Sequence, residues 1–214
     1  MSYREGVRRI APIGVAAFVF SASFGVLARA AGLGIAAPLV MSATTFAGSA
    51  QFAATSILHN GGGAAAAIVA AVLLNARYAP IGISVASGFD GSRIRRLLES
   101  QLIVDESWAV SVGRGAFDRR ILVGAGLVLY LAWNAGTAVG LLAGGLLGDP
   151  NRLGLDAAFP ALFLALLAPQ VRQRRALAAA LLGAAIALVT IPFVAPGLPI
   201  VAASAACLIG RRRR

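Results

Sequence analysis

Thr44, Thr45, Gly48, Ser49 and Gln51 stand together in the stretch SATTFAGSAQFAATS, residues 42–56, within a chain otherwise dominated by Ala, Leu, Val, Ile and Gly. On a helix Thr44, Gly48, Gln51 and Thr55 follow i, i+4, i+7, i+11 and share one face; Thr45, Ser49, Phe52 and Ser56 share the adjacent one. Such a stripe either lines a path for a polar solute or is a packing seam whose hydroxyls bond back to their own backbone. A break near Gly48 favours the first reading, because the N–H groups freed at a half-helix N-terminus suit a carboxylate.

Three further stretches carry chemistry. In LLNARYAPIG, Asn75 and Arg77 are two residues apart, about 200° on a helix, so they face one cavity only if Pro80 distorts that turn. Pro80 cannot donate to the Ala76 carbonyl, which leaves an acceptor there. WNAGT places Asn134 mid-segment with Thr137 nearby, and Asp156 lies four residues before Pro160. Asp156 either complements a helix dipole from the first turn or titrates to couple proton movement. Asp105 and Glu106 are a solvated pair or an intracellular gate. Ser49 and His59 would be the pair for an intramembrane serine hydrolase, but His59 sits in the Gly-rich turn LHNGGG with no carboxylate near in sequence to orient it. No catalytic residue is expected, and the chain does not read as an enzyme. No cluster of Cys, His and acids has metal-ligand spacing and no Gly-rich loop follows a strand, so neither metal nor cofactor is expected.

The elements that position these residues follow from composition. The chain has 214 residues, 59% hydrophobic and 13% charged, with a mean hydropathy of +0.84, which describes an integral membrane protein read as one domain, 1–214. All 19 basic residues are Arg against 8 acids. They cluster between apolar runs, at Arg4/Arg8/Arg9, Arg93/Arg95/Arg96, Arg119/Arg120, Arg172/Arg174/Arg175 and Arg211–Arg214, as orientation signals beside anionic lipid rather than a nucleic-acid surface. Cys207, the one cysteine, lies in an apolar run and packs.

Seven apolar segments, 10–31, 34–58, 62–87, 121–147, 153–169, 176–194 and 197–210, approach the length of about 20 residues that a helix needs to cross a bilayer. They lack the alternation of a membrane barrel, so the fold class is all-α, a polytopic transmembrane helical bundle. The first segment exceeds a signal-peptide core and is read as retained. Seven crossings put most arginines and the C-terminus on the cytoplasmic side but Arg4, Arg8 and Arg9 outside, against the positive-inside rule. One resolution is that segment 34–58 is broken or re-entrant. An arginine at a helix centre costs about 2.5–3.5 kcal/mol, so Arg77 either meets a cavity or partner or snorkels to the interface. In the long polar connector, Ile94, Leu97, Leu98 and Leu102 recur beside Arg93, Arg95 and Arg96, which fits a short interfacial helix or a solvated loop.

The ordered stretches SFGVLARAAGL, LVMSATTFAGSAQFAATSIL, LLNARYAPIGISVA and LIVDESWAV resemble the signatures of the AzlC family, the large subunit of two-component branched-chain amino-acid exporters. The likeness is strongest from Phe24 to Ala86, and the family's Asn-x-Arg followed by His or Tyr maps onto Asn75, Arg77 and Tyr78. The resemblance implies an inner-membrane permease that exports branched-chain amino acids, driven by the proton gradient, with a small AzlD-like subunit. Thr44, Thr45, Gly48, Ser49, Gln51, Asn75, Arg77 and Asn134 are the expected substrate-binding residues, and Asp156 the coupling candidate. Another amino acid or an organic acid on the same scaffold, or a structural membrane subunit without its own pathway, is the alternative.

Overall fold

The computed structural model describes residues 2–113, 116–146, 164, 167–168, 171, 174–194 and 198–206. Asp156 and Cys207 lie outside the described residues. The chain divides into two compact units, Met1–Gln51 with Asn75–Gly148, and Phe52–Leu74 with Asp149–Arg214.

The first unit is organised by two 28-residue helices, α1 (Tyr3–Ala30) and, after several shorter elements, α8 (Arg119–Leu146). Both are long and apolar enough to cross a bilayer. They pack closely because small residues meet backbone: a Cβ at Gly25 would run into the Thr137 carbonyl, and one at Gly136 or Gly140 into the carbonyls of Phe18 and Ala22. Between them in sequence come α2 (Ala36–Thr44), the start of α3 (Gly48–His59), α5 (Tyr78–Val85), α6 (Arg93–Ser100) and α7 (Asp105–Ser111). A two-residue antiparallel ladder, β1 (Val112–Gly113) with β2 (Ala116–Phe117), turns the chain from α7 into α8. Its register pairs Val112 with Phe117 and Gly113 with Ala116.

In the second unit, the rest of α3 ends at LHNGGG, where the Gly62 N–H returns to the Ile57 carbonyl (2.8 Å) and Gly61 has φ of 79°. This left-handed position favours glycine. α4 (Ala64–Asn75) follows, and α9 (Arg174–Thr190) packs against α10 (Leu198–Ala203).

The fold is all-α in character; of the expected seven crossings, the described residues hold two uninterrupted helices long and apolar enough to span and one interrupted pair, α4 with α5, while most of segment 153–169 and the end of segment 197–210 lie outside the described residues. Segments 34–58 and 62–87 are each cut into pieces of 8–12 residues, too short to cross singly. The connector does form a helix: Ile94, Leu97 and Leu98 lie on α6 with 71%, 70% and 68% of their surface exposed. Leu102 falls in the turn beyond it, against Gly126.

Candidate functional site

The polar stretch from Ser42 breaks just before Gly48. α2 stops at Thr44 and α3 starts at Gly48, with Thr45, Phe46 and Ala47 between. Phe46 has φ of 42° although it is not glycine, a conformation that costs about 1–2 kcal/mol. Its ring is 6% exposed and meets Tyr130 edge-on at 5.1 Å, so apolar burial opposes that cost. Gly48 is needed for packing, since a Cβ there would sit 2.6 Å from the tip of the Trp133 indole.

A buried chain of side-chain hydrogen bonds ties the break to α8. The Trp133 indole donates to Gln51 Oε1 (3.0 Å) and Gln51 Nε2 donates to Ser42 Oγ (2.9 Å). Ser42 and Thr137 hydroxyls share a bond of 2.9 Å, and Thr137 Oγ1 donates to the Trp133 carbonyl (2.9 Å). Ser42, Gln51 and Thr137 are completely buried. A buried polar group costs far more unpaired than paired, so this network specifies where the two half-helices stand. Carbonyls freed at the end of α2 are met as well: Gln101 Nε2 donates to the Thr44 carbonyl (2.8 Å) and the Tyr130 hydroxyl to that of Ala43 (2.9 Å).

A second break lies between α4 and α5, at Ala76 and Arg77. The carbonyl of Ala76, which Pro80 cannot serve, accepts from the Ala79 N–H (3.2 Å). With the helix interrupted, the 200° separation of Asn75 and Arg77 no longer applies. Arg77 reaches from this turn to the start of α3: Nη2 donates to Ser49 Oγ and to the Tyr78 hydroxyl, each at 3.2 Å. Nη1 pairs with Asp105 Oδ2 at 3.0 Å, with 44% of the arginine side chain and 40% of the aspartate side chain exposed. Arg77 is therefore partnered within its own chain. Asp105 is the first residue of α7, and Ser107, completely buried, closes that helix start by accepting from the Val104 N–H (3.0 Å). Asn75 Oδ1 is buried without a hydrogen-bond partner among the described residues.

The expected site residues thus separate into groups. Ser49 and Arg77 meet directly. Gly48 and Gln51 belong to the Trp133 packing and hydrogen-bond network. Thr44 and Thr45 are exposed, with Thr44 Oγ1 bonded back to the Val40 carbonyl (2.7 Å). Asn134 Nδ2 bonds back to the Tyr130 carbonyl (2.9 Å) on its own helix and joins neither group. Ser42, Gln101, Tyr130 and Trp133 were not singled out by sequence reasoning. The signal available for Asp105 was the acidic pair in LIVDESWAV, which needed a partner as much as Arg77 did.

The family model described as AzlC protein matches residues 12–147, a stretch that holds both helix breaks, Arg77 and Asp105. The chain is 33% identical over 195 residues to an uncharacterized membrane protein of Archaeoglobus fulgidus, covering 87% of this chain and 83% of that one. It is 25% identical over 190 residues to the branched-chain amino acid transport protein AzlC of Bacillus subtilis, covering 85% and 73%. An uncharacterized membrane protein of Helicobacter pylori is 25% identical over 171 residues, covering 78% and 75%. No solved structure matches.

Proposed function

We propose that this chain, which belongs to the AzlC protein family, is a single secondary-transport permease that exports branched-chain amino acids across the cytoplasmic membrane. A membrane transport role follows from the family and from the Bacillus relative, a branched-chain amino acid transport protein. The outward direction, proton coupling through Asp156, the cytoplasmic C-terminus and a small AzlD-like membrane subunit belong to the proposal.

One observation carries the site assignment: a guanidinium at a helix break, bonded to Ser49 at the first turn of a second half-helix, already holds a carboxylate, that of Asp105. Arginine's planar fork matches a carboxylate, and the first N–H groups of α3 have no acceptor within their own helix. In this reading the substrate carboxylate takes the place of Asp105 on Arg77, beside the Ser49 hydroxyl. The unpartnered Asn75 Oδ1 and the exposed Thr45 hydroxyl are acceptors for the ammonium. Gln51, with Ser42, Trp133 and Thr137, positions the half-helices rather than touching solute. Displacing Asp105 frees α7, and that exchange is the step that alternates access.

The test is counterflow of labelled valine in proteoliposomes holding the chain with its small membrane subunit. Arg77→Gln should abolish it, while Arg4→Gln, at an exposed arginine away from both breaks, should leave it unchanged. Wild-type counterflow by a correctly inserted Arg77→Gln variant removes the site assignment.

A further inference from the structure

Arg93, Arg96, Leu97 and Ser100 follow i, i+3, i+4, i+7 and form one face of α6. That face closes one side of a groove of about 410 Å³, whose other wall is Gly82, Val85, Ala86 and Phe89 of α5 and the turn after it, with Ile103 at one end. Val85 and Phe89 are nearly completely buried and continue into a cluster with Leu122, so the groove has a fixed apolar floor. A Cβ at Gly82 would meet nothing within 4 Å, so the space beside it is open.

The charges at the rim are unbalanced. α6 carries one acid, Glu99, and its carboxylate is taken by Arg95 Nε (3.0 Å) and by Arg119, with contacts of 2.7–2.8 Å. Among the described residues no acid pairs with Arg93 or Arg96, both of which are exposed. The groove therefore combines a hydrocarbon-lined trough with two free guanidinium groups three residues apart. Ile94 and Leu98 are exposed beside it, as they would be where α6 lies at the acyl boundary.

We propose that this groove binds one anionic phospholipid, an acyl chain lying along Gly82, Ala86 and Leu97 above the Val85–Phe89 floor and the phosphate headgroup held by Arg93 and Arg96. Shape selects a chain and the uncompensated charge selects the anionic headgroup over a zwitterionic one. The groove shares no lining residue with the Arg77, Ser49 and Asp105 cluster, and the proposal does not depend on the solute transported.

The experiment is a lipid titration of the purified full chain followed by native mass spectrometry, with phosphatidylglycerol and phosphatidylcholine of identical acyl chains as probes. Two basic residues, each at the strength of one near an anionic surface, give a preference for phosphatidylglycerol of about 30-fold at the first site. Arg93→Gln with Arg96→Gln should bring the two lipids to parity. Gly82→Leu, which fills the trough and leaves every charge in place, should weaken both. Arg4→Gln with Arg120→Gln changes the net charge equally and should preserve the preference. Equal retention of the two lipids by the wild type, an unaltered preference in the Arg93/Arg96 variant, or an equal loss in the Arg4/Arg120 variant overturns the proposal.

Discussion

Replacing Gln51 by leucine tests the claim that a buried network, rather than the local sequence, holds the first helix break. The substitution removes two hydrogen bonds, from the Trp133 indole (3.0 Å) and to Ser42 (2.9 Å), at a position with no solvent exposure. Interhelical bonds in membrane bundles average about 0.6 kcal/mol and reach about 1.7 kcal/mol. The indole N–H, 7% exposed as a residue, is left without its acceptor, and an orphaned buried donor costs about 1–3 kcal/mol. Ser42 keeps its bond to Thr137, so it adds little. A destabilisation of about 1–3 kcal/mol follows, read by reversible unfolding of the protein in bicelles. Trp133→Phe alone orphans Gln51 Oε1 instead, and the double variant orphans neither group. The single costs should therefore not add, with a coupling of about 0.6–1.7 kcal/mol. Additivity within about 0.3 kcal/mol would refute the reasoning, because the Gln51–Trp133 bond would then contribute nothing that solvation of either partner does not replace.

The remaining predictions concern charge and packing. Asp105→Asn removes a pair exposed at both ends, worth about 0.2–1 kcal/mol; the variant should fold, and equilibrium valine binding should tighten by about 1.4- to 5-fold as a competitor for Arg77 is lost. Weaker binding would mean that Asp105 orients Arg77 for the solute instead of competing with it. Burial pushes the Glu99 carboxyl up, but hydrogen bonds from Arg119 and Arg95 outweigh it and leave it below the ordinary carboxylate range. Its stabilising effect is complete above the unfolded value of about 4.3 and is lost as pH falls through the lowered folded value. Thermal melts should accordingly show a steeper loss below about pH 4 in the wild type than in Glu99→Gln. Gly140→Leu forces a side chain against the Ala22 carbonyl and should separate α1 from α8, seen as loss of a cross-link between cysteines introduced on those helices; retention of the cross-link would mean the pair does not depend on close backbone approach.

How much was legible before the structure differs from one element to the next. The break near Gly48 was, because polar residues and a glycine interrupt a run that apolar burial would otherwise favour. The pairing of Arg77 was legible as a need, since a guanidinium in an apolar segment demands a partner, but not as an identity. Asp105 lies 28 positions away, and nothing in spacing connects it to Arg77. The interruption of segment 62–87 was not legible: hydropathy registers apolar content, and α4 with α5 is as apolar as a crossing while being interrupted at Ala76–Arg77. Gln51 illustrates the other limit. Its type and helical face suit a solute, yet Trp133, 82 positions on, and Ser42 engage its amide, and such a long-range partner leaves no periodic trace.

Intracellular valine, leucine and isoleucine, followed in cells loaded with a branched-chain dipeptide, with and without this chain co-expressed with the proposed AzlD-like membrane subunit, test the central claim most directly. The account predicts faster clearance of all three amino acids when the pair is present, lost in Arg77→Gln and retained in Arg4→Gln. Unchanged clearance with both proteins in the membrane would contradict it.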